Sequence, residues 1–253
     1  MSFFPRRVLL VAAVIVLPPA ALAYRTITRL EAKYPRRCPD ALSTDALRST
    51  PNPATHHTPY ADIDVYTARV PAAGLRLDSD ASKSGTYSLE EAWARTFFQS
   101  PFLRAEGRLL AFSRSPGDCG EHGFHEGQRL LNVAFEVRRP PTSGKPLLVS
   151  WKMPDGAVAF FRRIGAYGYP WRLLSGGREE FAVGEVDPEG MVEVGFSSAH
   201  DYETVKEEGD AQKTVPRWSA RLHRAYALLL LDERAEAIRR RARDAGLKDL
   251  DQM

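Results

Sequence analysis

Two cysteines in 253 residues, Cys38 and Cys119, are too few for a disulfide-stapled scaffold. Asparagine is equally scarce: Asn52 and Asn132 precede Pro-Ala and Val-Ala, so no Asn-x-Ser/Thr acceptor exists. Gly-x-Ser-x-Gly and His-Glu-x-x-His are both missing, which removes the sequence templates for nucleophile-elbow hydrolases and zinc peptidases. Basic charge is missing from most of the chain as well. The whole has 35 Lys+Arg against 32 Asp+Glu, but residues 1–37 hold seven of the basic residues and only Glu31, leaving 28 against 31 in residues 38–253. A body with a net charge of −3 has no surplus with which to neutralise phosphates, which argues against nucleic acid as a partner. What remains, 43% hydrophobic and 26% charged, is the composition of an ordinary folded protein with one sizeable core.

Only one long apolar run occurs. Val8 to Tyr24 is free of charge between Arg7 and Arg25, and as a helix it would span about 25 Å, the short end of what crosses a bilayer. Arg6-Arg7, the apolar core and Ala21-Leu22-Ala23 also fit a cleaved signal peptide, and the acid-free start permits mitochondrial targeting. The basic run from Arg25 to Arg37 favours a retained single-pass membrane anchor with the C-terminal domain on the cytosolic side. The organisation expected is an anchor with its basic flank over 1–37, a Pro/Ser/Thr-rich tether over 38–57, and a single domain over 58–253.

Within that domain, Ala61–Val70 alternates as a strand does, and Ser88-Leu-Glu-Glu91 is a capping box opening a helix whose Leu89, Trp93 and Phe97 share a face. Short alternating runs follow at Leu109–Phe112, Leu131–Val137, Leu147–Trp151, Phe181–Val183 and Val192–Phe196, separated by Pro/Gly turns. Such runs without long intervening helices indicate an antiparallel sheet. Val158–Trp171, rich in aromatic residues, reads as a short helix, and Pro216 to about Leu247 as a long one on which Trp218, Leu222, Tyr226 and Leu229 recur at helical spacing. After Asp232 that helix turns charged and is expected to run into solvent. The fold class is therefore α+β: a curved antiparallel sheet packed on a long C-terminal helix, helix-grip-like, with one N-terminal membrane helix. A sheet curling around a helix leaves a cavity suited to a hydrophobic small molecule or lipid.

That order of elements resembles the START-like and polyketide-cyclase helix-grip superfamily. Gly177-Arg-Glu179-Glu-Phe181-Ala-Val183 and Val192-Glu-Val194-Gly-Phe196-Ser197, followed by Gln212 and the Trp218–Leu231 helix, are similar to the strands and closing helix of the family called "domain of unknown function 1990", with departures at Leu173 and Arg178. Trp171-Arg172-Leu-Leu-Ser-Gly-Gly177 and Ala199-His200-Asp201-Tyr202-Glu203 resemble a fungal type of single-pass membrane protein. These resemblances imply a fold and an address, and no known reaction.

His200 and Tyr202 lie two apart on an expected strand, hence on one face, and are the candidates for acid–base catalysis of a cyclase or isomerase type. Trp151, Trp171 and Arg172 are the candidates for ligand contact, Arg172 for a ligand carboxylate or phosphate. Cys119, Glu121, His122, His125 and Glu126 crowd one loop but lack the second pair that would complete a tetrahedral set, so neither metal nor cofactor is expected. Ser175-Gly176-Gly177 has no following helix or lysine and reads as a turn into a strand. The partners expected are a membrane and a hydrophobic ligand. A cyclase or isomerase on the same fold, and an interaction module without ligand, are the alternatives.

Overall fold

The computed structural model describes residues 6–39, 45–77 and 87–246, with side chains of the first helix described from residue 20 onward. It is α+β. Helix α1 (Arg6–Lys33) is followed by a single helical turn, α2 (Asp45–Arg48), and a two-residue strand, β1 (His56–His57). Strand β2 (Ile63–Pro71) leads into helices α3 (Ala72–Arg76), α4 (Leu89–Phe98) and α5 (Pro101–Leu110). Strands β3 (Arg129–Leu130), β4 (Phe135–Arg139) and β5 (Leu147–Lys152) come next. Helix α6 (Asp155–Ala166), strands β6 (Gly176–Val183) and β7 (Met191–Glu203), and the long helix α7 (Arg217–Asp244) complete the chain.

The sheet is antiparallel throughout and open, in the order β1-β7-β6-β5-β4-β3, with β2 sharing the β1 edge of β7. Residues of alternate parity face opposite ways. Phe181, Val194 and Phe196 point toward α4 and α7 and belong to the main core, whereas Ile63, Val65, Leu148 and Ala199 point away and pack on Leu47 of α2. The stretch expected as a tether thus supplies α2, whose Leu47 is fully buried, and β1.

Ser88 caps α4 as its sequence pattern requires, its Oγ accepting the Glu91 N–H at 3.2 Å. The Glu91 carboxylate, expected to complete the box, instead accepts from Arg95 at 3.1 Å one turn on. Helix α4 lays Trp93, Phe97 and Phe98 between sheet and α7; Phe97 stacks parallel on Phe196 at 5.2 Å and meets Phe181 at 4.7 Å. The buried Trp93 indole donates to the Gly195 carbonyl at 2.9 Å, so this large side chain leaves no polar atom unpaired.

Four expectations change. Leu109–Phe112 is the end of helix α5, opened by Pro101 at its first position. Leu131–Val137 is not one strand: residues 131–134 are the turn of the β3–β4 hairpin, where Leu131, Asn132 and Val133 all have positive φ and Val133 is exposed, and only Phe135–Val137 belong to β4. On α7 the large apolar residues Trp218 and Leu222 are exposed, while the buried stripe is Leu228, Leu231, Ala235, Ile238 and Ala242, continuing well past Asp232. Finally, among the described residues no helix is long and apolar enough to cross a membrane. Helix α1 is unbroken through Pro18-Pro19; the side chains of its apolar stretch up to residue 19 lie outside the described residues. Its last turns are docked on α7: Leu30 and Tyr34 are buried, Arg221 is bidentate to Glu31 at 2.8 Å, and Lys33 and Tyr34 reach Asp232 at 2.7 and 2.8 Å.

Candidate functional site

The space under the middle of α7, where a ligand cavity is expected, is filled. Trp93, Phe97, Phe98, Phe181, Leu228 and Leu231 are each at most 1% exposed and form one continuous cluster. Native interiors approach crystal packing density, and three bulky residues contributed by a single short helix suffice to close the gap. Two concavities stand out elsewhere among the described residues.

The smaller, about 70 Å³, lies under the first turns of α7 and is lined by Asp62, Asp64, His200, Tyr202, His223 and Arg224 among others. That volume suits one or two waters, or the reacting end of a larger molecule. The sheet pleat places His200 and Tyr202 on its wall together. His200 Nδ1 lies 3.1 Å from the Asp62 carbonyl, an acceptor only, so Nδ1 carries the proton and donates. This leaves Nε2 as an acceptor, buried and without a partner, 93% of the residue being enclosed. The His223 ring meets it edge-on, centroids 4.7 Å apart. Burial lowers both imidazoles, His223 to about 4, and raises the Asp64 carboxyl to about 6 despite Arg36, whose Nε lies 2.9 Å from Oδ1. Burial and then the Asp62 carboxylate hold the Tyr202 phenol above its ordinary range. At neutral pH the pocket therefore holds neutral imidazoles, an acceptor nitrogen and a protonated phenol. That is a set able to take a proton from a weak acid, although without the ionised base–acid pair of an activated nucleophile.

The larger concavity, about 730 Å³, runs between α2 and the β3–β4 hairpin, across the adjoining ends of β5 and β6; no residue of α7 lines it. Arg178 and Asp201 lie at its base. The Arg178 guanidinium is bound to the Asp201 carboxylate at 2.7 Å, to Thr58 at 3.0 Å and to the carbonyls of Ala46 and Ser49, so it holds α2 against the sheet rather than offering itself to a ligand. Gly177 lets the Trp151 ring lie close to β6: a Cβ there would come within 2.6 Å of the indole and 2.7 Å of the Ala199 carbonyl. Ala46, Pro51, Val133 and Ala134 give the groove apolar lining, while the rings of Trp151 and Phe135, which also border it, turn to the other face toward His200 at 6.2 Å and Phe98 at 5.7 Å; Arg129, Arg138 and Lys152 form a basic rim. Arg138 is spanned by Ser150 and Glu136, and Lys152 by Asp155, pairs exposed enough to be exchanged for a ligand at little cost.

Of the residues singled out in the sequence, His200 and Tyr202 share the small pocket and Trp151 lines the groove. Trp171 and Arg172 line neither; Arg172 is buried, with its Nη2 on Glu208 and its Nε and Nη1 without a hydrogen-bond partner. Asp62, Asp64 and His223 were not legible as site residues, because only the crossing of β2, β7 and α7 brings them together. Arg129 and Val133 were hidden by the reading of their hairpin as one strand. In the loop after α5, the Cys119 thiol is buried and its pKa pushed up to about 11, and the Glu121 carboxylate accepts the Cys119 N–H at 2.8 Å. Among the described residues no three His, Cys, Asp or Glu side chains come together as a metal site. In comparisons with known proteins, the chain matches no family model, no curated protein and no solved structure.

Proposed function

We propose that this protein is a binding module for an amphipathic small molecule with one anionic end, held beside a membrane by its N-terminal segment, on a helix-grip-like fold of the START-like kind. The ligand occupies the groove between α2 and the β3–β4 hairpin rather than the space beneath α7, which aromatic side chains fill. The observation that carries this reading is the groove itself: about 730 Å³, with Ala46, Pro51, Val133 and Ala134 for an apolar body and Arg129 and Lys152 at the rim for a carboxylate or phosphate. Pockets of this size with a few placed charges are the usual form of small-molecule sites. Titration of the full chain with dansyl-undecanoate, an apolar tail bearing one carboxylate, is expected to give a single saturable site. Arg129→Glu with Lys152→Glu weakens it more than tenfold, while Arg243→Glu at the far end of α7 leaves it unchanged. Absence of saturation, or equal affinity in all three proteins, overturns the reading.

A second reading, proton-transfer chemistry of the isomerase type in the small pocket, is favoured by one observation: the unpartnered His200 Nε2 facing that pocket. It requires that His200→Gln abolish turnover of an enolisable substrate without lowering the melting temperature by more than a few degrees. Retained turnover removes it.

A further inference from the structure

The end of the molecule from which the apolar N-terminal stretch departs carries aromatic side chains that are exposed among the described residues. Helices α1 and α7 run side by side in the same direction: Tyr24 lies under the Arg221 guanidinium at 5.4 Å, Glu31 binds Arg221, and Lys33 binds Asp232 and Glu236. The N-termini of both helices are therefore at one end. Helix α1 meets α7 from Tyr24 onward and extends back to Arg6, about 27 Å of helix at 1.5 Å per residue. Helix α6 ends at the same place, because Lys213 Nζ donates to the Gly165 carbonyl at 2.9 Å and Arg172 N–H to the Thr214 carbonyl at 3.1 Å, just before Pro216 opens α7. At this end Leu22, Tyr24, Tyr167, Trp171, Trp218 and Leu222 are exposed, Trp218 by 63% and Tyr167 by 87%. Arg25, Arg163 and Arg217 stand exposed among them.

Indoles and phenols beside arginines, at the foot of an apolar stretch, have the chemistry of the bilayer interface, where an apolar ring with a polar edge is at home and a guanidinium meets lipid phosphate. We infer that the joined N-terminal ends of α1 and α7, with the loop after α6, form a footprint that seats the domain on an anionic bilayer surface. Trp218, Leu222 and Trp171 enter the headgroup boundary, and Arg25 and Arg217 pair with lipid phosphates. This rests on the membrane-held reading above but goes beyond it, since an anchor on a free linker needs no such contact. The footprint fixes the domain's orientation: with the ends of α1, α6 and α7 against the lipid, the domain cannot tumble freely on its anchor.

The test uses the full chain reconstituted in vesicles of phosphatidylcholine and phosphatidylglycerol whose acyl chains are brominated near the headgroup. Bromine quenches only tryptophans that enter the bilayer, and Trp93 is enclosed in the core. Quenching is expected in the wild type, to fall at least twofold in W218F with W171F, and to weaken in Arg25→Glu with Arg217→Glu, while flotation with the vesicles persists in every variant. If the wild type floats and is not quenched, or is quenched equally in W218F with W171F, the footprint is wrong and the anchor stands. If the wild type does not float, the anchor and the footprint fall together.

Discussion

Glu179 sits in the middle of β6, paired with Val149 and Ser198 and facing the main core, where burial and then the Glu106 carboxylate push its pKa up to about 8. Folded, it keeps its proton at neutral pH; unfolded, it releases that proton above about 4.5. Its contribution is therefore complete below the unfolded value and lost as pH rises through 8, at up to about 1.4 kcal/mol per pH unit. Urea unfolding between pH 6.5 and 8, where the histidines lowered by burial still titrate in the unfolded chain and act on both proteins alike, is expected to show the wild type falling in stability relative to Glu179→Gln. Parallel slopes would refute the assignment. Arg178 poses the opposite case, a buried cation fully paired. Arg178→Met strands Asp201 and costs about 3–5 kcal/mol, whereas Arg178→Met with Asp201→Asn recovers part of that, because the larger share of the loss is the uncompensated charge. Chemical denaturation of the two single variants and the pair measures that coupling. Neither role shows in the sequence: Gly177-Arg-Glu179-Glu-Phe181 looks like any alternating strand, and only the sheet's partners decide that one charge is paired and the other neutralised.

At the scale of elements, α4 and α7 show what periodicity can and cannot reveal. The capping box located α4 to the residue, and the spacing of Leu89, Trp93 and Phe97 identified its inner face. For α7 the spacing found the helix and half of its inner face: Tyr226 and Leu229 pack against the core cluster, whereas Trp218 and Leu222, large and apolar, belong to a part of the helix that the sheet does not cover. The true stripe includes Ala235, Ala237 and Ala242, whose small side chains add little to an apolar pattern but allow close approach; Gly74 of α3 lies so near that a Cβ there would meet the Ile238 carbonyl at 2.5 Å. Leu231→Ala is accordingly expected to cost about 2–5 kcal/mol and Leu222→Ala less than about 0.5 kcal/mol in denaturant titration of the detergent-solubilised chain. Comparable losses would mean that the pattern, not the packing, had chosen the face. The hairpin β3–β4 failed for another reason. Its turn uses Leu131, Asn132 and Val133 at positive φ rather than glycine, so nothing in the residue types announced it.

For the whole molecule, the foot of α1 belongs to the body of the domain, since Leu30 and Tyr34 join the core cluster that also contains Phe97 and Leu228. Leu30→Ala is expected to lower the stability of the entire domain by about 2–5 kcal/mol, seen as one earlier transition by both circular dichroism and tryptophan emission. An unchanged midpoint would show that α1 unfolds independently. The chain determined by itself its class, its antiparallel strands, its long closing helix and the uneven placing of its charge, because alternation, caps and charge are local properties that each segment carries with it. Only the tertiary structure decided where space is left over. Three aromatic residues of α4 fill the gap beneath α7, while the hairpin turn and α2 enclose a groove that neither forms alone. A cavity is the difference between the volume elements enclose and the volume their side chains occupy, and that difference exists only once distant segments have packed.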